Sequence, residues 1–141
     1  MIARLRPGGR LVLADITLTP PRIYRAPDDE SGILIHTVMQ QVHQALTGPH
    51  GATWTADPDT LLSSHGMAQH CIHTGTETWT GAGPGCRLLA DVVTHLRTSL
   101  TDITDAETDR FADLMTNPRI LLGSYEHRVI HARAHLKARQ P

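Results

Sequence analysis

Histidines give this chain its clearest potential for chemistry, with ten among 141 residues. His127, His131 and His135 recur every four residues, which on a helix would place three imidazoles on one face and indicate a metal site. Val129 and Ile130 favour a strand instead, and no acidic or cysteine ligand joins the run. We therefore predict no metal site. A second cluster, without a regular ligand spacing, consists of His65, His70 and His73.

A glycine-rich stretch, "GAGPG" at 81–85, offers a second kind of chemistry. Gly81, Gly83 and Gly85 alternate just before a helical pattern, and glycines at this spacing let a backbone approach a ligand closely. The preceding residues 76–80 are polar apart from Trp79, so they do not form the buried strand that such a loop needs. The favoured interpretation is a turn that leads into a helix.

Composition limits the range of partners. The net charge is −1, from 13 basic and 14 acidic residues, which gives neither a basic field for nucleic acid nor a polybasic patch for a membrane surface. No apolar run approaches the roughly 20 residues of a membrane span. Cys71 and Cys86 form no CxxC pair, so we expect the reducing environment of the cytoplasm.

The elements that would position these residues begin with a turn at Pro7-Gly8-Gly9. Residues 10–16 follow as a strand, and the continuous apolar run 11–14 predicts burial on both faces, as in a parallel sheet covered by helices. Residues 22–29 form a loop. Apolar spacing of three and four predicts a helix from about Asp28 to Leu46.

The rest of the chain alternates in the same way. We predict a short helix after Asp57-Pro58 with Gly66 as its C′ residue, a strand over 67–74, a helix near 85–100, a helix from the Thr104/Glu107 capping box to Met115, and a final strand over 120–134. On the helix near 85–100 one side carries Leu88, Leu89, Val92, Val93, Leu96 and Leu100. Strands alternating with helices indicate the α/β class.

Three stretches resemble the class I S-adenosylmethionine-dependent methyltransferases. "ARLRPGGRLVLADIT" (3–17) is similar to their fifth-strand region, where a helix ending in Arg leads through a Pro-Gly-Gly turn into a buried strand and an acidic residue. "DPDTLLSSHGM" (57–67) resembles the short helix and turn before strand six, with Met67 where an aromatic residue is usual. "GSYEHRVIHARAH" (123–135) resembles the last, antiparallel strand. The resemblance spans nearly the whole chain but only the C-terminal part of such enzymes.

The resemblance implies a Rossmann-like methyltransferase sheet, of which this chain supplies strands five to seven and their helices as a single partial domain over 1–141. S-adenosylmethionine binds at the carboxyl ends of the first strands of such a sheet. Those elements precede strand five, so we expect the N-terminal cofactor-binding half to be absent. The chain would be a truncated product or one subunit of a split enzyme, and it would bind the cofactor only with that half supplied.

The resemblance also implies a function and a set of site residues. The expected activity is methyl transfer from S-adenosylmethionine to a small-molecule acceptor, as in secondary metabolism. The acceptor would sit above the ends of strands five to seven, below a lid of inserted helices. Mapped onto this sequence, the catalytic candidates are His36, as a base, and Asp15, and the substrate-binding candidates are Thr17, Tyr24, Trp79 and Tyr125. Gly81, Gly83 and Gly85 are the candidates for cofactor contact.

Each assignment has a structural alternative. For His36 the alternative is a solvated or satisfied helix histidine, for Asp15 a strand-end residue that accepts backbone hydrogen bonds, and for Trp79 and Tyr125 packing. Two other functions also remain open. One is a non-enzymatic interaction or regulatory protein, because the flank of strand 10–16 should be unpaired and could bind a partner chain or a second copy. The other is a repurposed enzyme, for example a cyclase, that does not use the cofactor.

Overall fold

The computed structural model describes residues 5–17, 20–48 and 57–135. In chain order the elements are β1 (Arg10–Ile16), β2 (Ile23–Arg25), α1 (Asp29–Thr47), α2 (Pro58–Ser64), β3 (Met67–Gly75), β4 (Thr78–Thr80), α3 (Pro84–Leu96), a 3₁₀ turn (Arg97–Ser99), α4 (Asp105–Met115), β5 (Leu121–Gly123) and β6 (His127–Ala134). This is an α/β protein with two small antiparallel sheets. The chain divides into two compact units, one with described residues 5–17, 57–75 and 127–135, the other with 20–48 and 76–126. The single partial domain stays a prediction.

The first unit is a three-stranded sheet in the order β1-β6-β3. The central strand, β6, runs antiparallel to both neighbours, so β1 and β3 point in the same direction. Helix α2 packs on one face, which we call the covered face. Its core consists of Leu11, Leu62, Met67, Ile130 and Ala132.

Strand β1 corrects the expectation of burial on both faces. Leu11 is only 6% exposed, whereas Val12, the next residue, is 60% exposed. The continuous apolar run is therefore misleading here: β1 belongs to an antiparallel sheet with one covered face, and alternate side chains point away from it. Among the described strands β1 pairs with β6 alone, which agrees with the expected open flank.

The second unit packs helices α1, α3 and α4 with a small sheet in the order β2-β5-β4. The helix ends follow the sequence signals. Asp28 caps α1 by accepting a hydrogen bond from the Ser31 amide at 2.7 Å, and Gly48 ends the helix with a φ of 66°. Thr104 and Glu107 form the expected capping box at the start of α4. The core is centred on Ile35, Val38, Leu89, Phe111 and Leu122, all fully buried.

The end of the chain departs from the prediction of one strand over 120–134. Residues 121–123 belong to β5 in the second unit, and 127–134 form β6 in the first. Ser124 ends β5 with bonds to Glu77: its amide donates to the Glu77 carbonyl at 2.7 Å, and its hydroxyl accepts from the Glu77 amide at 2.8 Å. These bonds continue the β4–β5 pairing by one residue, after which the chain leaves the small sheet.

Three smaller features of the second unit also differ from the prediction. Residues 22–29 contain the three-residue strand β2 rather than loop alone, and β4 was not predicted at all. Strands this short carry too few side chains to show alternation. Leu88, assigned to the apolar side of α3, is 53% exposed, while Leu89 and Val93 are buried.

Candidate functional site

The residues selected from the sequence divide between the two units. Asp15 and Thr17 belong to the first unit. The second unit contains the remainder, namely Tyr24, His36, Trp79, Gly81, Gly83, Gly85 and Tyr125.

Asp15 lies one residue before the end of β1, not at its end. It shares the covered face with Leu11 and Leu13, and Arg128 of β6 stands directly across from it in the strand register. Arg128 is itself buried. Asp15 is therefore placed within the sheet, on the face that α2 covers, and not in an open crevice at the strand end. Thr17 follows the strand and is also buried.

His36 lies in an open cleft at the start of helix α1. Residues 29, 33 and 36 share one helix face because they are spaced by four and three, and the segment leaving β2 forms the opposite wall. The cleft is lined by Ile23, Ala26, Pro27, Asp28, Asp29, Gly32, Ile33 and His36. The imidazole is exposed at its rim.

Two arginine contacts fix the wall opposite His36. Arg119 donates from Nη2 to the carbonyl of Pro27 at 3.2 Å, and its own carbonyl accepts from Nε of Arg25 at 2.9 Å. A Cβ added at Gly32 would meet the Cβ of Ala26 at an ordinary contact distance of 3.7 Å, so this wall lies next to the helix at that point. The cleft is thus held by several elements of the second unit.

The chemistry of the cleft follows from its lining. Asp28 is committed to capping α1, and hydrogen bonds from Ser31, with help from Arg110 and Arg119, hold the pKa of its carboxyl below the ordinary value. Its carboxylate therefore stays ionised and is too weak a base to take a proton from a hydroxyl or amine of a ligand. The imidazole of His36 is the group on this surface that could act as a general base. An apolar part of a ligand would fit against the side chains of Ile23, Ala26 and Ile33.

Trp79 and Tyr125 are brought together by the fold. Their rings meet edge to face with centroids 6.0 Å apart, and both pack against the second unit's core. Burial raises the pKa of Tyr125 to about 12, so its hydroxyl remains neutral. Tyr24, by contrast, is 50% exposed and lies against Gly123. Trp79 and Tyr125 are partly buried against the core, whereas Tyr24 is exposed.

The glycines at 81–85 do not form a cradle for S-adenosylmethionine. A Cβ at Gly81 would lie 1.8 Å from the carbonyl oxygen of Asn117, and one at Gly85 would lie 2.1 Å from the Trp79 ring. The space beside these glycines is filled by the protein's own atoms, not by room for a ligand. Pro84 begins α3 directly after Gly83, as expected for a turn that leads into a helix.

The structure also groups residues that the sequence did not single out together. Cys71 and His73 project from the exposed face of β3, with the thiol 3.4 Å from Nε2 of His73. His131 of β6 stands opposite Cys71, and its ring meets that of His73 edge to face at 6.0 Å. The spacing of Cys71 and His73 by two residues on a strand was the one sequence signal that could have indicated this group. The position of His131 opposite Cys71 depends on the pairing of strands that are distant in sequence. Within 5–17, 20–48 and 57–135, no three His, Cys, Asp or Glu side chains are arranged to hold a metal ion.

Comparison with known proteins adds no assignment. A scan against protein-family models and a search of curated proteins both found no match to this chain. In the part of the chain that the structure describes, no helix combines the length and apolar character needed to cross a membrane.

Proposed function

We propose that this chain is the acceptor-binding portion of a methyltransferase that acts on a small molecule. The observation that carries the proposal is the strand arrangement of the first unit. The resemblance predicts a last strand antiparallel to strands five and six, and β6 runs antiparallel to both β1 and β3. The Pro-Gly-Gly turn, with Gly8 at φ 75°, precedes β1 as the same resemblance expects.

In this proposal the cleft at the start of α1 holds the acceptor. The apolar wall formed by Ile23, Ala26 and Ile33 binds the body of the molecule, and His36 accepts a proton from its hydroxyl or amine. No residue described here is assigned to the cofactor, because the glycines that might have held it are packed against protein atoms. S-adenosylmethionine would be bound by another segment or chain. The two free cysteines suit a protein of the cytoplasm.

Calorimetric titration tests the proposal directly. S-adenosylmethionine would be titrated into this chain alone and into its mixtures with candidate partner chains, and a panel of phenols and amines would then be assayed for methyl transfer by an assembly that binds. We expect binding and transfer only with a partner present. Absence of cofactor binding in every combination would overturn the proposal.

A pair of variants tests the role of His36 in any active assembly. His36→Gln should lower kcat by about 10²-fold or more, the usual contribution of general base catalysis. His95→Gln is the matched control, because His95 is also an exposed helix histidine of the second unit, with Nδ1 2.8 Å from the Asp91 carbonyl. Equal effects of the two substitutions would remove His36 from the mechanism.

A non-enzymatic interaction protein is the second candidate function. It is favoured by the position of β1 at the sheet edge together with the exposure of Val12 and Ile16. Stable assembly without any methyl transfer would favour this function over the first.

A further inference from the structure

The face of the first sheet opposite α2 carries an unusual combination of side chains. We call it the open face, and its members alternate with those of the covered face: Arg10, Val12, Ala14 and Ile16 of β1, His127, Val129, His131 and Arg133 of β6, and Cys71 and His73 of β3. Val12 is 60% and Ile16 49% exposed. An apolar strip of this kind on a three-stranded sheet indicates a binding surface.

The dimensions of the open face fit one helix. Six residue steps along β1 from Arg10 to Ile16 span roughly 20 Å, and three strands span about 10 Å across. An α-helix is about 10 Å wide, and about 13 residues cover 20 Å. A single amphipathic helix laid along the strands would therefore cover Val12, Ala14 and Ile16 together with Val129.

Charge identifies the chemistry that this helix must carry. Arg10 and Arg133 stand directly across from each other at one end of the open face, an arrangement of like charges that destabilises a sheet unless an anion lies between them. Both side chains are exposed. Arg133 is directed back to the Pro7-Gly8 turn, where its Nε donates to the Gly8 carbonyl at 3.3 Å. Among the described residues of this face there is no aspartate or glutamate.

We propose that the open face is the docking site for an amphipathic helix of a partner protein, with an aliphatic stripe over Val12, Ala14, Ile16 and Val129 and carboxylates over Arg10 and Arg133. A second copy of this chain is the poorer occupant, because the same face of that copy would bring no carboxylate to the arginines. The proposal does not depend on methyl transfer, and its test contains no cofactor or acceptor.

A designed peptide provides the probe. It would be a fluorescein-labelled helix of about 16 residues, with leucines at i, i+3, i+4 and i+7 spacing and glutamates in its first turn. A second peptide would carry lysines in place of the glutamates. Fluorescence anisotropy at low salt should show saturable binding of the glutamate peptide and at least tenfold weaker binding of the lysine peptide.

Charge reversal on the protein should reverse this preference. Arg10→Glu/Arg133→Glu should bind the lysine peptide better than the glutamate peptide. The control Arg22→Glu/Arg87→Glu, which makes the same change of net charge at exposed positions of the second unit, should leave the preference intact. Circular dichroism of each variant would verify folding.

A second pair of variants tests the apolar strip. Val12→Asp should abolish binding, whereas Leu88→Asp, at an exposed leucine of the second unit, should not. Three results would overturn the proposal: no saturable binding of either peptide, a preference that both double variants alter equally, or a homodimer that Val12→Asp converts to monomer, because a second copy would then be the occupant.

Discussion

Gly85 offers a sharp test of the packing around Trp79. A Cβ at this position would lie 2.1, 2.3 and 2.5 Å from three atoms of the indole ring, far inside ordinary contact. Gly85→Ala must therefore push the ring away from its edge contact with Tyr125. Overpacking of this kind costs about 1–3 kcal/mol, which outweighs the gain of up to about 1 kcal/mol from replacing a helical glycine. We expect a net loss of about 1–2 kcal/mol in the free energy of unfolding.

The assay is urea denaturation followed by far-UV circular dichroism, with Gly32→Ala as the matched control. Gly32 is also a helical glycine of the second unit, but its added Cβ would meet Ala26 at an ordinary 3.7 Å. That substitution should raise the free energy of unfolding by about 0.5–1 kcal/mol. In a Trp79→Ala background, which removes the ring, Gly85→Ala should lose its cost.

The reasoning would be refuted by a Gly85→Ala protein as stable as the parent, or by a cost that persists without the Trp79 ring. Either result would mean that Gly85 is required for something other than the approach of the indole. A ligand role for the glycines at 81–85 would then have to be reconsidered.

Three further predictions concern single side chains. Thr104→Ala removes one half of the α4 capping box and should lower the free energy of unfolding by about 1 kcal/mol in urea titrations; an unchanged midpoint would contradict the cap. In a Tyr24→Phe background, ultraviolet titration should show Tyr125 ionising near its raised pKa of about 12 instead of the ordinary 10. Because the unfolded chain loses this proton first, Tyr125's contribution to stability is complete below pH 10 and is lost as the pH rises to about 12; ionisation at the ordinary value would show that the ring is not buried. Iodoacetamide should modify exposed Cys71 in the native protein well before Cys86, whose thiol is buried with a raised pKa; equal rates, read by peptide mass spectrometry, would contradict this burial.

Local signals in the sequence predicted the helices well. Asp28 before α1 and the Asp57-Pro58 pair before α2 mark helix starts, because their side chains bond amides only three residues ahead. Gly48 and Gly66 mark the ends, since both adopt positive φ. Each of these interactions joins residues close together in the chain, so the local sequence is enough to predict it.

Long-range pairing was the part that the sequence did not predict. The apolar run 11–14 suggested two covered faces, but which face is covered depends on α2 and on strands more than fifty residues away. The division of 120–134 into β5 and β6 depends on their different pairing partners, since β5 pairs with β2 and β4 while β6 pairs with β1 and β3. For the same reason the grouping of Cys71 with His131 was missed, and so was the wall opposite His36, which Arg119 holds from more than ninety residues away. The catalytic role of His36 stays a prediction.

The first sheet has a consequence for the order in which the protein folds. Its central strand pairs with β3 at Gly75 opposite His127 and with β1 at Ile16 opposite His127. The second pairing closes a loop about twice as long as the first, and each doubling of a flexible loop adds about 0.6 kcal/mol of closure entropy. We expect the β3–β6 hairpin-like pair to form first, once the local contacts between α3 and α4 have shortened the chain between them. Strand β1 then joins last and opens first, so its amides should exchange with solvent fastest of the three strands.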